Sequence, residues 1–222
     1  MSIEQQPEAP SAEAIVDLLG ALAYGELCAF DRLAEDARLA PTLAGRTHMS
    51  RMAALELAHH DALTGRLVEL GAEPIAAMTP FVAALETYHA LTAPSTWLES
   101  VVKAYVGDGM AADFYREVAQ FVDPQTQALI DDALTQGGRA EFAVSEVHAA
   151  VAENAANAGR LALWARRLVG EAISQTQHVL ADRDALMVLL MSGAGDLTGV
   201  AGLIGRITDR HEQRMAALGL ST

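Results

Sequence analysis

Apolar residues recur at helical spacing along nearly the whole chain, and glycine and proline gather between the periodic segments. Ile15, Leu18, Leu19, Leu22, Phe30 and Leu33 form one stripe, predicting a first helix over residues 13–38 with Ser11 as its cap. Pro41 separates it from a second helix, 42–70, which stops at Gly71. A loop that short makes the two antiparallel neighbours. Residues 71–94 carry Pro74, Pro80 and Pro94 around one short helix, 81–91, and predict a long crossover. The third helix, 96–122, opens on a Thr96-x-x-Glu99 capping box and should run parallel to the second. Asp123-Pro124 opens a fourth, 124–156, with an irregularity at Gly137-Gly138. After a break at Asn157-Ala158-Gly159, a fifth helix covers 160–191, and Asp196 caps a last one to about 218. The pattern predicts an all-α four-helix bundle with two additional C-terminal helices.

Polar residues interrupt these stripes near mid-helix. Glu26 breaks the first. Glu56 and His59 lie one turn apart on the second, on a face shared with Met52, Leu55 and Leu63. Asp108 breaks the third between Gly107 and Gly109, where two helix-weakening glycines imply close approach by a neighbour. On the fourth, Glu141, Ser145 and His148 share a face. Core-facing carboxylates and imidazoles are costly unless paired, and a buried Glu–His hydrogen bond is the plain alternative to a metal. A four-helix bundle with one long crossover is the ferritin-like arrangement, whose di-metal site takes a Glu from two helices and Glu-x-x-His from the other two. Glu26, Glu56 with His59, and Asp108 match with one substitution. His148 has Ser145 where that pattern has glutamate, and Glu141, one turn earlier, is the candidate to reach in. The candidate ligands are therefore Glu26, Glu56, His59, Asp108, Glu141 and His148, a donor set suited to iron or manganese, one or two ions. Leu22, Phe30, Leu55 and Tyr105 are expected to wall the site. His60, Asp61 and Asp113 are expected outside the ligand set, and His211 on an exposed charged face.

Composition narrows the function. The formal net charge of −14 opposes nucleic-acid binding without a local basic patch. The apolar stretch 161–191 contains Arg166, Arg167, Glu171, Asp182 and Arg183, which excludes a membrane span there. Residues 1–10 read as a disordered acidic tail without a signal-peptide core, followed by one domain over 11–222, with its core bundle in 11–156 and the added helices in 158–218. A lone cysteine, Cys28, fits a reducing, cytoplasmic setting.

The segments Leu22-Ala23-Tyr24-Gly25-Glu26-Leu27, Lys103-Ala104-Tyr105-Val106-Gly107-Asp108-Gly109, Ala112-Asp113-Phe114-Tyr115-Arg116-Glu117 and Leu163-Trp164-Ala165-Arg166-Arg167-Leu168-Val169-Gly170-Glu171-Ala172 resemble the actinobacterial ferritin-like proteins described as similar to tRNA-(methylthio-isopentenyl-adenosine) hydroxylase. The resemblance spans most of residues 13–191. It implies a ferritin-like bundle and a non-haem di-iron oxygenase or hydroxylase with a small-molecule or unnamed substrate. The tRNA partner comes only from the family description, and the acidic charge disfavours it. No membrane partner is expected, and a homodimer is compatible with the chain. The competing reading is a non-catalytic ferritin-like metal-binding or interaction scaffold with a degenerate site.

Overall fold

The computed structural model describes residues 10–134 and 139–222, and these are helical with no strand among them. Helix α1 (Ala12–Asp36) is capped by the Ser11 hydroxyl. It is followed by α2 (Leu43–Glu69), capped by Thr42, after a short 3-10 turn. The crossover holds α3 (Pro74–Met78) and α4 (Val82–Leu91). The third long helix is composite: α5 (Trp97–Val102), a π-helical segment Lys103–Gly107, and α6 (Asp108–Ala119). Then come α7 (Pro124–Ala133), α8 (Arg139–Glu153), α9 (Ala156–Asp182), α10 (Asp184–Ala194) and α11 (Leu197–Ala217).

Side-chain contacts fix the directions. Ala23 of α1 meets His60 of α2, and Glu26 meets His59, so the two helices are antiparallel. Gly45, early in α2, lies against Trp97, while Arg66, late in α2, donates to Thr126 and Asp123. The composite helix therefore runs parallel to α2, as the long crossover requires. Trp97 donates to Glu146 at 2.6 Å, and Asp108 pairs with Arg139, which sets α8 antiparallel to the composite helix.

Three expectations change. The fourth helix is not continuous: α7 ends at Ala133 and α8 starts at Arg139, with Gly137-Gly138 outside the described residues. The fifth helix starts earlier, at Ala156, and breaks at Arg183, whose guanidinium turns to the buried carboxylate of Asp17 on α1 through two hydrogen bonds, the Nε bond at 2.9 Å. The third helix carries a π segment that hydrophobic periodicity did not reveal. Its extra residue shifts the register by about 100° before Asp108.

The interior has two apolar clusters. Leu18, Leu19, Leu22, Ala23, Leu63 and Ala112 belong to one. Leu33, Met49, Met52, Ala53, Tyr105 and Val106 belong to the other. Helices α1, α2 and the composite helix each pass from one cluster to the other at the level of Glu26, Glu56/His59 and Asp108. These polar residues form the seam between two dry regions.

Candidate metal centre

Glu26 and Glu56 are buried, and the His59 side chain retains 11% of its surface exposed. One oxygen from each carboxylate and one imidazole nitrogen lie within 4.8 Å of one another. His59 Nδ1 is 3.6 Å from Glu26 Oε2 and 3.5 Å from Glu56 Oε2, close enough to share a central ion but long for hydrogen bonds. Glu26 Oε2 and His59 Nδ1 have no hydrogen-bond partner among the described residues. Buried polar atoms left unpaired and aimed at one point are what a divalent cation would satisfy. Two carboxylates and an imidazole suit iron or manganese, so the residues fit a metal. Alongside, His60 Nδ1 donates to the Ala23 carbonyl oxygen at 2.9 Å, holding α2 in register on α1.

Arg139, at the start of α8, enters from the other side. Its Nη2 donates to Glu56 Oε1, and its Nη1 lies 3.4 Å from Asp108 Oδ2. Asp108 therefore reaches the centre through the guanidinium and does not join the Glu26, Glu56 and His59 group. Glu141 and His148 are exposed and stand apart from it. The reason is helical phase. The buried residues of α8 are Arg139, Ala143 and Val147, four apart, so Glu141 and Ser145 point to the opposite side. His148 lies a further 100° round from Val147, and its Nε2 meets the Ala217 carbonyl oxygen at 3.0 Å.

A family model described as a ferritin-like domain of actinomycetes matches residues 10–193. The chain belongs to this family. No curated protein matches it.

In this ferritin-like bundle a cavity of about 790 Å³ opens from the carboxylates towards α9, α10 and α11. Glu26, Glu56, Asp108 and Arg139 lie along it, and Leu22, Phe81, Leu85, Phe114 and Tyr115 contribute apolar wall. Ile173, Met187, Met191 and Ile204 line it while remaining exposed to solvent, alongside the polar Gln175, Thr176, Gln177 and Thr208. Of the four expected wall residues only Leu22 lines the cavity. Phe30 and Tyr105 pack in the other apolar cluster, and Leu55 points to solvent.

Electrostatics follow from this dry setting. Burial holds the Glu26 carboxyl above its ordinary range, against the pull of His59 and Arg139. Burial also pushes Asp108 up to about 7, with Lys103 pulling it down. Lys103, buried on the π segment, donates to the Thr92 carbonyl oxygen at 2.9 Å, and desolvation lowers it to about 8. Gly107 leaves room for Tyr88: an added Cβ would lie 2.7 Å from its hydroxyl oxygen. At Gly109 the added Cβ would lie 3.0 Å from the Arg214 side chain. The close approach expected at these two glycines is present.

Sequence reasoning missed Arg139, although a lone arginine on the stripe Arg139, Ala143, Val147 was a readable signal. It also missed an ion-pair ladder between α6 and α11. Asp113 and Glu117, both buried, meet Arg206, Arg210 and Arg214: Arg206 Nε donates to Glu117 at 2.9 Å, Arg210 donates to Glu117, and Arg214 lies 2.6 Å from Asp113. Asp113 is thus a buried structural carboxylate, and His211, expected on an exposed face, is buried beside this ladder.

Proposed function

We propose that the protein is a non-haem iron or manganese protein of the oxygenase or hydroxylase type, acting on an apolar small molecule. The observation that carries the reading is the buried Glu26, Glu56 and His59 group, with unpaired ligand atoms on Glu26 and His59, whose two carboxylates line an apolar cavity. Glu26, Glu56 and His59 would hold the ion. Iron held there supplies dioxygen activation, which side chains alone cannot perform. The chain's own contribution is positioning and exclusion. His60 fixes the ligand helix α2 on α1. Arg139 holds Glu56 by one oxygen and leaves Oε2 facing His59. The apolar walls keep water from a bound substrate and the ion, and their chemistry selects an uncharged, largely hydrocarbon molecule.

The description of the resembled ferritin-like proteins suggests a tRNA substrate, but the apolar cavity lining and the acidic charge favour a small apolar one. One observation favours the second reading, a non-catalytic scaffold: the Arg139–Glu56 pair partly neutralises the site without a metal.

One comparison tests the metal centre on which the first reading stands. Protein refolded with ferrous iron or with Mn(II) is assayed for metal content and melting temperature beside Glu56→Ala and His59→Ala. The metal reading expects bound ion and a raised melting temperature in the parent alone, since a ligand that binds only the folded state stabilises it. Equal metal content and equal metal response in all three proteins would leave the scaffold reading standing.

A further inference from the structure

Glu56 divides its two oxygens. Oε2 faces the point shared with Glu26 and His59, while Oε1 accepts from Arg139. A carboxylate bridging two cations divides its oxygens in the same way, with one to each cation. Here the second cation is a guanidinium. Only 8% of the Arg139 side chain is exposed, and it also faces Asp108, the carboxylate of the third long helix, at 3.4 Å. We infer that Arg139 is the resident second cation of this centre, so that Glu26, Glu56 and His59 hold one divalent ion and a second ion has no place. The inference rests on the metal reading above.

Charge balance supports it. Glu26, Glu56 and Asp108 carry three negative charges when ionised, and Arg139 returns one positive charge. With Lys103 also acting on Asp108, the remainder is at most two negative charges, which one divalent ion already offsets. A second divalent ion would put excess positive charge in the seam, beside a buried guanidinium. Ligand supply points the same way. A di-metal centre draws a Glu and a His from the fourth helix, but Glu141, Ser145 and His148 are all exposed on α8. The residue α8 does turn inward at this level is Arg139. A second ion would have to expel that side chain and bind through Glu56 Oε1 and Asp108 without a new protein donor from α8.

The full-length chain, freed of metal, is titrated with Mn(II) by calorimetry, with bound metal counted after desalting, for the parent, Arg139→Gln and Arg139→Lys. The expected result is one ion per chain in the parent and in Arg139→Lys, which keeps the positive charge. Arg139→Gln frees Glu56 and Asp108 and should take up two. Electron paramagnetic resonance of the Mn(II)-loaded parent needs no variant and should give the hyperfine pattern of isolated ions. Two ions in the parent, a spin-coupled pair in its spectrum, or a single ion in folded Arg139→Gln would overturn the inference. No ion in the parent would instead remove the metal reading on which it stands.

Discussion

His89 shows how one buried side chain sets a pH response. It sits on the crossover helix α4 with its Nδ1 unpaired among the described residues, and burial, reinforced by Lys103 and Arg32, lowers it from 6.5 to about 3. The unfolded chain therefore takes up a proton near pH 6.5 that the folded chain refuses until about pH 3. Between those values the unfolded state binds more protons, so the His89 contribution to stability is complete above pH 6.5 and falls as the pH drops through this window. One proton gives a limiting slope of about 1.4 kcal/mol per pH unit. His89→Phe should remove that share. Denaturant unfolding of both proteins at several acidic pH values is the check, with a flatter curve expected for the variant. Parallel curves would mean that the imidazole already holds its proton in the fold.

At the scale of elements, the ladder between α6 and α11 ties the last helix to the bundle through two buried carboxylates. Asp113 receives Arg214, whose side chain is only 12% exposed, and removing the carboxylate leaves that guanidinium buried and unpaired by it. Breaking a buried pair from one side costs about 3–5 kcal/mol. Asp113→Ala is expected to lose stability of that order. Arg116 also pairs with Asp113, but it is 39% exposed, and Arg116→Ala should cost less than about 1 kcal/mol. Chemical denaturation of the two variants tests the contrast, and similar small losses in both would show that water solvates Arg214 after the carboxylate is gone. Arg183 with Asp17 works on the same principle at the α9–α10 break, where an ion pair takes the place of the helical continuity that apolar spacing predicted.

Across the whole molecule, net charge sets an expectation about nucleic-acid partners. Acidic residues number 29 against 15 Lys and Arg. Arg139, Arg183, Arg206, Arg210 and Arg214 are already engaged with carboxylates of the fold. A polyanion needs a free basic footprint to release its counterions. We therefore expect no tight tRNA binding at physiological salt. A gel-shift titration checks this, and an affinity of about 1 μM or better would overturn it. No single described helix is long and apolar enough to cross a membrane.

Hydrophobic spacing and end signals by themselves determined the helical class, the caps at Ser11, Thr96, Asp123 and Asp196, and the crossover that makes α2 and the third long helix parallel. They also placed Glu26 and Glu56-x-x-His59 at mid-helix on inward faces, because a three-residue spacing within one continuous helix fixes relative direction without tertiary information. Only the tertiary structure decided what lay beyond a break in that periodicity. The phase of α8 could not be carried across residues 134–138, so Glu141 and His148 were assigned to a face that belongs to Arg139, Ala143 and Val147. The π segment was equally invisible, because one inserted residue leaves composition unchanged while turning every later side chain by about 100°. Which cation meets Glu56 and Asp108 depends on that phase, so the arginine at the centre emerged only when the helices were packed together.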